Sequence, residues 1–134
     1  MNIIFITHCS AKKDESWRAS GTKVTPDKLY TAQPLQRFVN KCKEKGKDWA
    51  IFSDKYGVLF PEDKIEWYEK NPNSVSEIEY DQLLKNFMNQ LSEFNEIWFY
   101  YNPGRFHSLY KRLVRDAKTR GVRIHKFTHL YEIE

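Results

Sequence analysis

Short apolar runs alternate with longer amphipathic stretches along this chain, and the alternation predicts strands and helices. Four runs rich in branched and aromatic residues are the predicted strands, at residues 2–7, 49–53, 96–101 and 122–127. The first run is apolar almost throughout, which is typical of a strand that is covered on both faces, as in a parallel sheet.

Three further stretches have apolar residues at helical spacing and are the predicted helices, at residues 34–45, 76–94 and 104–120. In the second, Ser76 is followed by Glu79, which matches a helix capping box. Because strands alternate with helices, right-handed crossovers and a mostly parallel sheet are expected. The pattern therefore predicts a three-layer α/β fold with about four strands and helices on both faces.

The connecting segments differ in length and polarity. Residues 8–25 are polar and read as a long loop, a feature that is often functional in a compact domain. Residues 54–57 indicate a turn, residues 58–68 a loop or short helix, and residues 129–134 a tail that packs as a short extension.

Composition narrows the class of protein. The 134 residues fit a single domain spanning residues 1–134, and an aromatic content of 16% argues against disorder. The net charge of +4 permits a nucleotide or nucleic-acid partner without demanding one. Two distant cysteines, without a secretory signal or an apolar membrane span, predict a cytoplasmic protein with no membrane partner. No metal or organic cofactor is implied, and the oligomeric state stays open.

Polar segments follow three of the predicted strands. They are residues 8–13, residues 53–57 and residues 102–105. In open α/β sheets, ligands bind outside the carboxyl ends of the strands. We therefore expect the three segments to meet at one edge and form the working site.

Cys9 is the candidate nucleophile of this site. Nearby cations lower the pKa of a thiol, and Lys12, Lys13, His8 and Lys55 are positioned in sequence to do so. The alternative is that Cys9 is a small buried hydrophobic residue at a strand end.

The remaining candidates bind a ligand or move protons. Lysines contact phosphates, tyrosines stack on bases, and carboxylates either accept hydrogen bonds from a base edge or act as a general acid or base. The predicted catalytic residues are Cys9, Lys13, Asp63 and Glu66, and Asp54 is a further carboxylate near this edge. The predicted binding residues are Ser10, Lys12, Tyr30, Ser53, Lys55, Tyr56, Gly57, Tyr68, Asn102 and Arg105.

These motifs resemble a family of small α/β domains of unknown function found in bacteria, archaea and phages. The resemblance is carried by Cys-Ser-Ala-Lys at residues 9–12, with Lys13 after it, by Leu29-Tyr30, and by the run from Trp49 to Leu59. It covers about the first 70 residues well and implies a Cys-Ser-x-x-Lys element after the first strand.

A more distant similarity is to the Cys-bearing domain of archaeosine synthase, which acts on 7-cyano-7-deazaguanine in transfer RNA. Cys9 and Lys13 match the Cys-x-x-x-Lys part of its motif, whereas His8 replaces a proline and Asp14-Glu15 replaces Pro-Tyr. This similarity implies a thiolate that adds to an electrophilic carbon, with a nitrile giving a covalent thioimide.

The leading hypothesis is an enzyme that modifies a nucleobase or nucleotide through Cys9. Three alternatives remain open. They are a non-catalytic nucleic-acid-binding module with an inert Cys9, a carboxylate-dependent N-glycosidase or related nucleotide hydrolase using Asp63 or Glu66, and an interaction domain without chemistry.

Overall fold

The computed structural model describes residues 2–134 and shows a five-stranded sheet with four helices. The strands are β1 (Ile3–His8), β2 (Trp49–Ser53), β3 (Gly57–Leu59), β4 (Glu96–Tyr100) and β5 (Ile124–Phe127). The helices are α1 (Pro26–Leu29), α2 (Gln33–Glu44), α3 (Glu77–Gln90) and α4 (Ser108–Thr119). The strand order in the sheet is β3-β2-β1-β4-β5.

The sheet is mostly parallel, and β1 lies at its centre. β1 pairs in parallel with β2 and β4, and β5 pairs in parallel with β4. This confirms the predicted α/β class, and the four predicted strands are all present.

The fifth strand corrects the prediction. β3 is antiparallel to β2, and its residues fall partly within the stretch predicted as a loop or short helix at 58–68. Three residues are too few to show a period, so the pairing is fixed by the turn and by tertiary packing.

Helices cover both faces of the sheet, as predicted. On one face, Phe38 of α2 stacks on Tyr100 of β4 with ring centroids 5.7 Å apart. On the other, Phe52 of β2 packs edge-on against Phe87 of α3 and Tyr110 of α4, at 5.6 and 6.2 Å. The core therefore lies in two apolar layers that sandwich the sheet.

One predicted helix start is confirmed, and another is shifted by a 3₁₀ turn that precedes the helix. The predicted capping box is present, since the Ser76 hydroxyl accepts from the Glu79 N–H and the Glu79 carboxylate accepts from the Ser76 N–H. The last helix starts at Ser108 rather than residue 104, because Pro103–Arg105 form a separate 3₁₀ turn capped by the Asn102 side chain. The tail packs as a 3₁₀ turn, with Ile133 buried.

The long segment after β1 is fastened to the body of the domain. Lys13 and Tyr30 form an isolated antiparallel bridge, and so do Val24 and Ile65. These bridges hold the segment across the carboxyl edge of the sheet. Within residues 2–134 no helix combines the length and apolar character needed to cross a bilayer.

Candidate functional site

A cavity of about 750 Å³ opens at the carboxyl edge of the sheet. Its walls come from the end of β1 and the loop after it, the first turn of α2, the loops after β2 and β4, and the first turn of α4. The predicted convergence of loops on this edge is thus realised around β1. A cavity of this size is typical of sites for small organic ligands.

Cys9 lies in the wall of this cavity and is held there by the sheet. Its backbone N–H donates to the Phe52 carbonyl at 2.8 Å, which extends the pairing of β1 with β2 by one residue. Its Sγ lies 3.3 Å from the Tyr110 hydroxyl and 3.7 Å from Asp54 Oδ1. The side chain is only 8% exposed, so these two groups dominate its surroundings.

The pKa of the Cys9 thiol is shifted in the direction opposite to the one that the neighbouring lysines predict. Burial, followed by the negative charge of Asp54, raises the pKa of the Cys9 thiol to about 11. The hydrogen bond from the Tyr110 hydroxyl acts in the other direction and favours the thiolate. This shift favours the protonated thiol at neutral pH, opposite to the low-pKa thiolate that the neighbouring lysines predict.

A buried polar cluster surrounds the sulfur; it consists of Cys9, Tyr30, Ser53, Asp54, Tyr68 and Tyr110. The Tyr68 hydroxyl lies 2.5 Å from that of Tyr30, 2.9 Å from that of Ser53 and 3.4 Å from Asp54 Oδ1. The cluster therefore forms a continuous chain of polar atoms from the sulfur to the Tyr30 side of the domain.

Asp54 is the acidic member of this cluster and is 3% exposed. Burial raises the pKa of its carboxyl, while the Cys9 thiol, Lys13, Tyr68 and Lys70 oppose that shift. A carboxyl with a raised pKa beside a thiol is suited to exchanging a proton with it.

His8 lines the cavity next to Cys9. Its ring stacks on that of Tyr110, with centroids 4.7 Å apart, and its Nδ1 lies 2.9 Å from the Cys9 carbonyl oxygen. Burial lowers the pKa of this imidazole, so the ring is neutral at pH 7. On this side of the sulfur, away from Asp54, the wall of the cavity is consequently aromatic and uncharged.

The cavity lining is rich in cations. It contains five basic side chains, namely Lys12, Lys13, Arg37, Lys70 and Arg105. Asp54 is the one carboxylate in the lining formed by residues 2–134. This excess of positive charge favours an anionic ligand.

Lys13 and Lys55 approach the same tyrosine. Lys13 Nζ lies 4.5 Å from the centroid of the Tyr68 ring, and Lys55 Nζ lies 5.5 Å from it. The loops after β1 and β2 thus place both ammonium groups on one side of the domain.

The cavity lies within a span of the chain that matches a known protein family. The model of a family of unknown function, DUF6884, matches residues 3–120. The chain belongs to this family. The matched span includes every cavity residue described above, from Thr7 to Tyr110. No curated protein and no solved structure gives a significant match.

The predicted site residues fall into three groups in this DUF6884 domain. Those in the cavity lining are Cys9, Ser10, Lys12, Lys13, Asn102 and Arg105. Those in the polar cluster behind the sulfur are Tyr30, Ser53 and Tyr68. Those outside the lining are Lys55, Tyr56, Gly57, Asp63 and Glu66.

Several of the predicted site residues outside the cavity lining make contacts that stabilise the turn and the hairpin around β3. Asp63 accepts a hydrogen bond from the Phe60 N–H at 2.8 Å and closes the turn after β3, and Glu66 is exposed. Tyr56 packs edge-on against Tyr68 at 5.3 Å, and Gly57 begins β3. Their assignment to catalysis or binding stays a prediction.

Sequence reasoning missed several cavity residues, among them Arg37, Lys70, His107 and Tyr110. The sequence pattern places Tyr110 within the predicted helix at residues 104–120 and gives it no role in the site. A usable signal existed, because the helix that follows a parallel strand begins at the carboxyl edge of the sheet. Arg37 and Tyr110 both lie near the beginning of such helices.

Among residues 2–134, no three His, Cys, Asp or Glu side chains lie close enough together to hold a metal ion.

Proposed function

We propose that this domain is an enzyme that modifies a nucleobase or nucleotide by covalent catalysis through Cys9. The observation that carries the proposal is the pair formed by Cys9 Sγ and Asp54 Oδ1, 3.7 Å apart in the wall of a cationic cavity. A nucleophile within reach of a base, which is in turn held by other groups, is the general arrangement for nucleophilic catalysis.

In this proposal Asp54 activates the thiol. The raised pKa of Cys9 means that the proton must leave as the sulfur attacks, and the Asp54 carboxylate is placed to accept it. Tyr68 hydrogen bonds to Asp54 at 3.4 Å and orients the carboxylate. Asp54 thereby takes the acid–base role that the sequence assigned to Asp63 and Glu66.

A nitrile is proposed as the electrophile on the motif resemblance to archaeosine synthase that Cys9 and Lys13 carry. The Cys9 sulfur forms a bond to the nitrile carbon while one π bond of the C≡N group breaks. The thiol proton passes to Asp54 and then to the nitrile nitrogen, which gives a neutral thioimide with no leaving group. The Tyr110 hydroxyl, 3.3 Å from Cys9 Sγ, can donate a hydrogen bond to the reacting sulfur, whereas the Ser10 hydroxyl donates to the Lys12 carbonyl at 2.8 Å.

The first test is covalent capture of 7-cyano-7-deazaguanine, read by intact-protein mass spectrometry. We expect an adduct equal to the mass of the added base, and its loss in Cys9→Ser. The matched control is Cys42→Ser, because Cys42 is the second buried cysteine and lies in α2 away from the cavity lining. An adduct that persists in Cys9→Ser contradicts the role of Cys9, and the absence of any adduct contradicts nitrile chemistry.

A second candidate function is non-catalytic nucleotide or nucleic-acid binding. It is favoured by the burial of Cys9, which is 8% exposed, because burial raises the pKa of a thiol and a protonated buried thiol is unreactive. This candidate requires Cys9→Ala to bind the ligand as tightly as the unchanged protein, with no covalent product at any time.

A further inference from the structure

We infer that the ligand carries a phosphate monoester, held at the mouth of the cavity by a cationic rim of Lys12, Arg37 and Arg105. The inference rests on the proposed function for the base-like part of the ligand and adds its charge and orientation. The phosphate lies at the rim, and the ring points toward Cys9.

The three cations of the rim are not neutralised by carboxylates of the described chain. Outside the cavity lining, Arg18, Arg112 and Arg115 have carboxylate partners at 3.7, 2.7 and 3.3 Å, whereas Arg120 and Arg123 have none within 4.0 Å among residues 2–134. Arg37 instead contacts the neutral Gln33 amide oxygen at 3.2 Å. Within residues 2–134, neither Lys12 nor Arg105 has a carboxylate oxygen within 4.0 Å.

Three separate elements bring the rim together. Lys12 comes from the loop after β1, Arg37 from the beginning of α2, and Arg105 from the 3₁₀ turn after β4. α2 also begins in the cavity wall without a side-chain cap, so its positive end adds to the field of the three cations. Arginine binds phosphate oxygens through paired N–H donors, which fits a terminal phosphate.

Burial and charge divide the cavity into two parts. Lys12, Arg37 and Arg105 are exposed, whereas Cys9 and Asp54 are buried. The deeper wall holds the neutral His8 ring stacked on Tyr110. A phosphate placed there would meet the Asp54 carboxylate, so the anionic group belongs at the rim and an uncharged ring belongs inside.

The position of the basic residues at the far ends of α2 and α4 favours a free nucleotide over a polynucleotide. α2 and α4 begin at the cavity and run away from it, and each spans 12 residues, or about 18 Å. Lys43 and Lys45 therefore lie at the far end of α2, and Arg120 and Arg123 lie beyond the far end of α4. These cations do not continue the rim into a track for a long strand.

The test is isothermal titration calorimetry with the four standard nucleoside 5′-monophosphates and the four matching nucleosides. We expect at least one monophosphate to bind ten times more tightly than its nucleoside. Arg37→Gln and Arg105→Gln should each raise its Kd about tenfold, because each removes a charge-assisted contact. Arg115→Gln is the control with unchanged Kd, since Arg115 lies on α4 outside the cavity lining.

Equal binding of monophosphates and nucleosides would overturn the inference, and so would rim variants with unchanged Kd. A single-stranded oligonucleotide that binds more tightly than every monophosphate, with affinity falling steeply as salt rises, would assign the site to polynucleotides instead.

The two proposals fail in different ways. Monophosphate binding without any covalent product on Cys9 leaves the phosphate site standing and removes the thiol chemistry. Adduct formation on Cys9 with no preference for phosphorylated ligands removes only the phosphate site.

Discussion

At Cys9, the residues nearest in sequence and the groups nearest in space act on the thiol in opposite directions. Lys12 and Lys13 follow it closely, but Lys13 lies over the Tyr68 ring and its charge acts on Asp54. The sulfur instead meets Tyr110 and the Asp54 carboxylate. Closeness in sequence therefore does not predict which charges act on the Cys9 thiol, because Lys13 lies over the Tyr68 ring whereas Asp54 lies beside the sulfur.

Tyr110 positions the sulfur, and its replacement should move the titration of Cys9. Tyr110→Phe keeps the ring against His8 and removes the hydroxyl that favours the thiolate. We expect the pKa of Cys9 to rise above about 11, so that alkylation by iodoacetamide at a given alkaline pH becomes slower. The measurement is the pH profile of the alkylation rate in a Cys42→Ala background.

Tyr80→Phe provides the control for this experiment. Tyr80 is also buried, but its hydroxyl donates to Asp116 at 2.6 Å and lies outside the cavity lining. Its removal should leave the alkylation profile unchanged. A Tyr110→Phe profile that moves to lower pH would contradict the positioning role.

At the scale of elements, the β2–β3 hairpin shows a constraint that is specific to glycine. Gly57 has a φ of +79°, and a Cβ added there would overlap the side-chain amide of Asn86 on α3. The same amide oxygen accepts from the Val58 N–H at 2.8 Å. The hairpin and α3 are therefore locked together at this point.

Gly57→Ala should lower the free energy of unfolding by about 2 kcal/mol or more, because backbone strain and steric overlap add together. Urea denaturation measures the loss. Gly46→Ala is the matched control, since Gly46 has a φ of +64° with no atom near the added Cβ. It should cost about 1 kcal/mol, from strain alone. Equal losses in the two variants would show that the contact with Asn86 contributes nothing.

The long elements were predictable, while the short ones were not. A continuous apolar run specifies β1, and the capping box fixes the start of α3. β3 and α1 span three and four residues, so neither shows a repeating pattern. For the site, the convergence of the loops followed from the parallel sheet, but the contact of Tyr110 with Cys9 depends on packing between elements distant in sequence.

For the molecule as a whole, several cysteine and tyrosine side chains are buried where the neutral form is much more stable than the ionised form. Burial raises the pKa of Cys9 to about 11 and that of Cys42 to about 12. It also raises the pKa of Tyr30, Tyr68 and Tyr110 above their ordinary range. Each of these groups contributes fully to stability at a pH low enough for it to be neutral in both the folded and the unfolded protein. As pH rises, the group ionises in the unfolded chain before it ionises in the folded protein, and its contribution to stability is lost.

The domain should therefore lose stability between pH 9 and about 11. The unfolded cysteines ionise near their ordinary pKa of 9.0 while the folded ones stay protonated, which lowers the free energy of unfolding as pH rises. Each cysteine should contribute about 2 kcal/mol to this loss. Guanidinium denaturation in a thiol reductant measures it across this range.

Cys42→Ala should reduce the slope of stability against pH, because one of the shifted thiols is gone. A free energy of unfolding that stays constant up to pH 11 would show that these groups titrate as freely in the folded protein as in the unfolded chain.

The hydrogen bond from the Cys9 N–H to the Phe52 carbonyl, at 2.8 Å, fixes the stretch of backbone that carries the sulfur. Moving it would require unpairing the central strand from its neighbour. In the reaction we propose, the substrate must therefore travel to the sulfur, and a base stacked inside a double helix is too recessed to do so. Only a small molecule, or a base already turned out of its strand, can complete that approach.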